Sequence, residues 1–239
     1  MSDPSPTQAQ SLGGVPLREV RPLGPMQRMA AAHLARRHAE TAAVTLFGEA
    51  EADGLVALKA RLDGVTYTAL VLKAVAQTLR RHPHLNAALE DDAAQVYDEI
   101  NIGLALALAD GNLVVPVLRR ADTRPVAEVA AWIAAAEDRP GGKFTRDELS
   151  GGTFTLTNAG MIPSTRFTTP IIPARQAAIL GLGALRRAPV VRDGQVTAGW
   201  LLPTSLTFDH RLLNGVPASR FVDDLHGLLA RPDDIDLGL

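Results

Sequence analysis

Among the six histidines of this 239-residue chain, His210 keeps the most chemically suggestive company. It follows the alternating run Ser205-Leu206-Thr207-Phe208, stands between Asp209 and Arg211, and precedes Leu212-Leu213-Asn214-Gly215. Alternation reads as a strand and Asn-Gly as a tight turn. The next stretch, with Pro217 in its first turn and Phe221, Leu225 and Leu228 at helical spacing, reads as an amphipathic helix. One imidazole therefore sits at a strand end, ahead of a turn that fixes the local backbone. Imidazole is the side chain whose ordinary pKa suits proton transfer near neutrality. A lone histidine is still more often structural than catalytic, so the ring alone decides nothing. Asp209 and Arg211 read as an ion pair that holds the segment. His33, His38, His82, His84 and His226 show no metal-ligand spacing, and no metal is expected. Cysteine is absent, which excludes disulfides, thiolate metal sites and a cysteine nucleophile. Any thiol in the chemistry must arrive with the substrates.

The elements that position this segment can be followed along the chain. Residues 1–14 are rich in Ser, Pro, Gly and Gln and read as a mobile tail. Met26–Ala39 is a helix candidate whose Arg28, Arg36 and Arg37 read as solvated. Val44–Glu51 reads as a strand, Asp53 as the cap of a helix carrying Leu55, Leu58 and Leu62 on one side, and Thr68–Arg81 as a long apolar helix stopped by Pro83. Ile100–Leu108 and Leu113–Leu118 read as strands around the turn Asp110-Gly111-Asn112, with Pro116 demanding an edge or a bulge. Thr123 and Pro125 open a further helix, and Thr145–Glu148 has the form of a capping box for a short one. Arg192-Asp193-Gly194-Gln195 is a second hairpin signal.

Composition bounds the function. Hydrophobic residues make up 46% and charged residues 21%, and the formal net charge is −2. No nucleic-acid partner is indicated by that charge, and no apolar run approaches the ~18 residues of a membrane helix. No signal peptide is visible, so a cytoplasmic protein is the plain reading. One mixed α/β domain is expected, an α+β two-layer arrangement with a mixed sheet packed by helices.

Several blocks in order add a family. Asp209-His210-Arg211-Leu-Leu-Asn214-Gly215 resembles the His-x-x-x-Asp/Asn-Gly signature of the dihydrolipoamide acyltransferases, the core subunits of 2-oxo acid dehydrogenase complexes and relatives of chloramphenicol acetyltransferase. Gly151-Gly-Thr-Phe-Thr-Leu-Thr157-Asn158-Ala-Gly160 is similar to that family's Gly-Gly-Thr-Phe-Thr-x-Ser/Thr-Asn-x-Gly. His84–Leu89, Ile102–Val117 and Gln176–Gly183 also fall in family order, and the similarity runs from about Val15 to about Leu229. The resemblance implies a chloramphenicol acetyltransferase-like fold. It also implies acyl transfer between coenzyme A, as substrate, and a thiol acceptor such as dihydrolipoamide, the lipoyl group being supplied in trans by a lipoyl-bearing or other acyl-carrier protein. His210 is then the general base, and Thr157 donates to the oxyanion with Asn158 as fallback. Asn214 shapes the surroundings of His210. It further implies a homotrimer with each site shared between subunits, to which a larger cubic assembly is a further step.

Two stretches depart from the family. Ile171-Ile-Pro-Ala-Arg-Gln176 stands for Ile-Ile-Asn-Pro-Pro-Gln, and Ala32-His33 lies near the usual position of an Arg pair. The domain expectation is a flexible tail over 1–14 and a catalytic domain over 15–239, with neither a lipoyl nor a peripheral-subunit-binding domain, which leaves either a stand-alone acyltransferase, the favoured reading, or a trimmed part of a longer protein. The competing class is a non-catalytic trimeric scaffold that retained the fold. Presence of both His210 and Thr157 favours the enzyme.

Overall fold

The structure, a computed structural model, describes residues 11–108 and 113–238, apart from the Met26 side chain. The first ten residues of the expected tail and the Asp110-Gly111-Asn112 turn lie outside the described residues. The chain divides into two compact units, residues 1–36 and 37–239. In the first, Ser11–Leu12 (β1) and Val15–Pro16 (β2) pair antiparallel, so part of the stretch expected to be a tail is a small hairpin. Helix α1 spans Pro25–Glu40.

The second unit holds β3 (Ala43–Glu51), α2 (Asp53–Arg61), α3 (Tyr67–Arg81), the hairpin β4 (Ala87–Glu90) and β5 (Ala93–Val96), then β6 (Ile102–Ala107), β7 (Leu113–Val114) and β8 (Val117–Leu118). There follow α4 (Val126–Glu137), β9 (Phe154–Asn158), β10 (Ala178–Leu182), β11 (Arg186–Arg192), β12 (Gln195–Asp209) and α5 (Gly215–Ala230). The main sheet runs β11-β12-β10-β9-β6-β7, with β3 on the other edge of β12 and β8 beside β6. It is mixed: β9 lies parallel to both β6 and β10, whereas β12 is antiparallel to β10, β11 and β3. The 15-residue β12 is the spine, because β3 and β10 flank its second half and β11 its first.

One face of the sheet is packed by helices. Phe154 and Leu156 of β9, Leu180 of β10 and Leu206 and Phe208 of β12 are fully buried with Leu70, Leu72 and Leu79 of α3 and Phe221 and Leu225 of α5. Each such side chain contributes roughly 1.5–3 kcal/mol by leaving water. Since side chains alternate along a strand, Thr155 and Thr157 of β9 face the opposite way, towards the face without helices. Lys73 is buried inside α3, where its ammonium group donates to the Asp122 and Arg124 carbonyls at 2.9 and 2.7 Å.

Several local expectations are corrected. Asp53 does not cap α2; it is the first helical residue, and its carboxylate accepts from Arg192 (2.6 Å) and the Trp200 backbone (3.1 Å). Thr123 lies in a 3-10 turn, and α4 begins at Val126 with no side-chain cap. Thr145 and Glu148 do form the reciprocal capping bonds, at 2.8 and 3.3 Å, but they close a turn instead of starting a helix, and the chain soon reaches Gly151 at φ +76°. Leu113–Leu118 is two short strands broken at Pro116, whose carbonyl accepts from Leu104 at 2.9 Å, which is the interruption a strand proline requires. Arg37 is not solvated: its side chain is 15% exposed and reaches the Pro173 carbonyl at 3.3 Å.

Candidate active site

His210 directly follows the last residue of β12. Its backbone N–H donates to the Ala42 carbonyl (2.9 Å), and the preceding Asp209 N–H donates to the Ala177 carbonyl (2.9 Å), so the strand end is tied on both sides. The Asp209 carbonyl then accepts from Leu212 and Leu213 (3.0 and 3.1 Å), which turns the chain towards α5. Beneath the turn the Asp209 carboxylate is 2% exposed and is gripped by Arg211, with Nε at 2.9 and 3.1 Å and Nη2 at 2.5 Å. Burial pushes this carboxyl up, but the Arg211 guanidinium, together with the Arg211 and Ala42 backbone N–H groups, more than offsets it and holds the group below the ordinary carboxylate range. The ion pair expected here is present. It leaves the exposed His210 ring resting against Phe208, centroids 5.6 Å apart. Asn214 occupies the N-cap position of α5 in extended conformation, yet its side chain makes no capping bond and is exposed, four residues beyond His210.

Thr157 lies at the other end of the sheet, near the C-terminal end of β9. Cross-strand register places Phe47, Ser205, Gly181, Thr157 and Ala105 in one row, all on the face without helices. Among the described residues, no hydrogen bond engages the Thr157 hydroxyl. Asn158, by contrast, is committed: its amide donates to Thr68 (3.1 Å), and its oxygen accepts the Gly160 N–H (2.8 Å). The fallback donor is thus a fixed part of the turn after β9.

The segment after Gly160 passes over part of that row. Phe167 packs on Phe47 with centroids 5.3 Å apart, and the Thr168 N–H donates to the Ser205 hydroxyl at 3.1 Å. A cleft of about 440 Å³ opens beside Thr155, lined among others by Tyr97, Gly152, Thr155, Arg175 and Gln176. Arg175 adopts φ +58°, a conformation closed to the proline of the family motif at this position. Thr155 donates to Gln176 (2.8 Å), whose amide donates to the Gly152 carbonyl (3.1 Å).

A single chain does not bring His210 and Thr157 together. Thr157 and Ser205 are two strands apart in register, and His210 is five residues further along β12. At about 4.8 Å per strand and about 3.3 Å per residue the two positions are on the order of 20 Å apart. Among the described residues no group of His, Asp or Glu is arranged to hold a metal ion, and no helix is long and apolar enough to cross a membrane.

The sheet order and helix placement define a class. Chloramphenicol acetyltransferase superposes on this chain with a TM-score of 0.55 at 17% identity, over 83% of this chain and 94% of that one, a likeness of fold. The sequence narrows it further. Residues 16–237 match the family of 2-oxoacid dehydrogenases acyltransferase (catalytic domain), and the chain belongs to that family. The succinyltransferase component of the 2-oxoglutarate dehydrogenase complex of Haemophilus influenzae is 32% identical over 221 residues, 88% of this chain and 54% of that protein. Dihydrolipoamide acetyltransferase of Azotobacter vinelandii, in which a serine, a histidine and an asparagine were investigated for their part in catalysis, is 33% identical with a TM-score of 0.85, over 92% of this chain and 94% of that one. The cubic core of a pyruvate dehydrogenase multienzyme complex has the same score and identity, over 93% and 95%. This chain spans between about a third and just over half of the length of the curated relatives it matches.

Proposed function

We propose that residues 15–239 form an acyltransferase that moves an acyl group between coenzyme A and a dihydrolipoyl thiol borne by a carrier protein, in the cytoplasm. The observation that supports it most directly is the Thr157 hydroxyl, which no hydrogen bond engages among the described residues, held in sheet register within the family's Gly-Gly-Thr-Phe-Thr block. The Azotobacter relative's histidine and asparagine stand four positions apart, as His210 and Asn214 do here. The separation of His210 from Thr157 favours a homotrimer whose sites are completed between subunits, in line with a relative that builds a cubic core.

In this reading neutral His210 takes the proton of the attacking thiol, whose ordinary pKa of about 8.5 leaves it mostly protonated at pH 7. The sulfur attacks the thioester carbonyl, and the carbonyl electrons move to oxygen. Thr157 of the neighbouring subunit donates to that oxyanion. Collapse expels the other sulfur, which takes the proton back from the imidazolium. The ion pair below His210 fixes its backbone, and the cleft beside Thr155 has the size of a ligand site, so it is a candidate for one substrate arm.

Release of free thiol from acetyl-CoA and succinyl-CoA, with free dihydrolipoamide as acceptor, tests the reading. Transfer that disappears in His210→Ala supports it. A correctly assembled protein that moves neither acyl group would refute it and leave the scaffold class.

A further inference from the structure

The cleft beside Thr155 is neutral along its length and carries one charge. A Cβ at Gly103 would stand 2.8 Å from Val115 and 3.1 Å from the Thr155 hydroxyl, so glycine there keeps the floor open. Among the described residues that line the cleft, Arg175 alone is charged. Its φ of +58° lies in the left-handed region, which costs an L side chain free energy and tends to persist where it serves a function. The Tyr97 hydroxyl donates to the Arg175 carbonyl at 3.0 Å and ties the turn in that shape. Burial raises the Tyr97 pKa and the Arg175 cation counters it, so the guanidinium stands near that hydroxyl. The Arg175 side chain is 76% exposed, and its Nε meets Glu90 at 3.2 Å. Among the described residues no other hydrogen bond or ion pair engages the guanidinium. An exposed pair of this kind is worth little, and the remaining N–H groups can take an anion from a ligand.

Register sets how far this charge lies from the reacting end. Strand β10 pairs parallel with β9, Ile179 beside Thr155 and Gly181 beside Thr157. Gln176 keeps that register, since its amide reaches the Gly152 carbonyl, five residues before Thr157. Arg175 is one residue further back, so its backbone lies roughly 15–20 Å upstream of the Thr157 level at about 3.3 Å per residue. A succinyl group extends only about 4 Å beyond its reacting carbonyl, and an arginine side chain reaches back about 6–7 Å, which leaves a gap. The pantetheine arm of coenzyme A has about thirteen bonds from sulfur to the first phosphorus. At the ~3.5 Å that an extended backbone gains per three bonds, it spans roughly 15 Å. The arm is neutral, like the cleft walls, and it ends in a diphosphate. A dihydrolipoyl arm is of similar length but has no anion at its far end.

We propose that Arg175 is a substrate-binding residue that holds a phosphate of coenzyme A, with the pantetheine arm lying in the cleft and its sulfur at the Thr157 end. This rests on the acyl-transfer reading above. A guanidinium offers several N–H donors in a fixed fork, which suits phosphate oxygens. The proline of the family motif could neither take this backbone conformation nor supply that charge.

The variants Arg175→Ala, Arg175→Gly and Arg175→Lys are compared with wild type in transfer to free dihydrolipoamide. The acyl donors are acetyl-CoA, succinyl-CoA and S-acetylpantetheine, which lacks phosphate. Alanine and glycine raise KM for both CoA thioesters about 10-fold, the size of one hydrogen bond to a charged group, with kcat within about twofold. KM for acetylpantetheine and for dihydrolipoamide stays within about twofold of wild type, and lysine recovers part of the loss. Glycine accepts φ +58° without strain, so agreement between glycine and alanine assigns the effect to the lost charge. Calorimetric titration with coenzyme A reads the same contact without turnover and shows a matching rise in Kd. An unchanged KM for acetyl-CoA, an equal rise for acetylpantetheine, or a rise confined to dihydrolipoamide would overturn the proposal. A rise for succinyl-CoA but not acetyl-CoA would overturn it too, by assigning Arg175 to the acyl carboxylate. If coenzyme A binds in an Arg175-dependent way but wild type moves no acyl group, the contact stands and the acyl-transfer reading falls.

Discussion

Asp209 and Arg211 face each other around His210, the buried carboxylate accepting both the guanidinium and the Arg211 backbone N–H (3.1 Å). The pair belongs to the turn that carries the imidazole, so its stability and the placement of the ring are linked. Replacing Asp209 by Ala leaves the Ala42 and Arg211 N–H groups without their carboxylate acceptor, at a cost of about 1–3 kcal/mol. The accompanying shift of His210 lowers kcat about 10–100-fold. The sign with pH follows from the lowered carboxyl. The pair contributes fully above the unfolded pKa near 3.9, and its contribution fades as pH falls through the still lower folded value. Thermal melts of wild type and Asp209→Ala should therefore differ most above about pH 5 and converge in acid.

His210→Ala tests the base itself. The ring is exposed, and the backbone bond to Ala42 does not depend on it, so melting temperature stays near wild type. Turnover should fall about 100-fold or more. A variant that keeps over half of wild-type turnover would remove His210 from the mechanism.

Thr157 separates a transition-state donor from a binding residue. Thr157→Ser retains activity, whereas Thr157→Ala loses about 10²–10³ in kcat with little change in KM. A rise confined to KM would reassign the side chain to substrate binding.

The local half of this candidate site is legible in the chain. His210, the Asn-Gly turn and the helix with Pro217 are consecutive, so patterning and turn chemistry report them directly. The Asp193-Gly194 hairpin was readable for the same reason, both residues taking positive φ as that turn demands. The row from Phe47 to Ala105 was not, because it arises from pairing residues as much as 158 positions apart in sequence, and no local periodicity encodes register between distant strands. Asp53 and Thr145 show the reverse error. Both are good capping residues by type, but tertiary partners claim one, and a glycine-bounded turn leaves the other no helix to cap. The β4–β5 hairpin escaped notice because its turn uses Asp91 and Asp92 at positive φ, without the glycine that usually marks it.

His226 gives a second pH dependence of opposite chemistry. It is packed against Gly48 and bonded to Thr204 (2.8 Å), and burial holds its imidazole below the usual histidine value despite the nearby Asp223. A histidine with a lowered folded pKa binds its proton preferentially when unfolded. Stability is therefore full above the unfolded value near 6.5 and declines as pH falls from there towards the folded pKa. His226→Gln should flatten the melting temperature between about pH 6.5 and 5 relative to wild type. An unchanged pH slope in the variant would assign the dependence to other groups.

Subunit mixing tests the proposed sharing of the site most directly. His210 and Thr157 are on the order of 20 Å apart in one chain, far beyond the reach of groups that must act on one thioester. In a ring of three identical heterologous contacts, each His210 can instead meet the Thr157 of the next subunit. His210→Ala and Thr157→Ala are each expected to be inactive alone. When they are mixed under conditions that exchange subunits, some interfaces pair a wild-type His210 with a wild-type Thr157, so activity returns. Random exchange at equal amounts makes this pairing at about one interface in four, with half of the subunits contributing each intact group. Recovery near that fraction, with exchange verified by native mass spectrometry of a mass-tagged partner, is the expected result. No recovery despite verified exchange would mean that each chain completes its own site, and the separation across the sheet would then have to close by a rearrangement within the subunit.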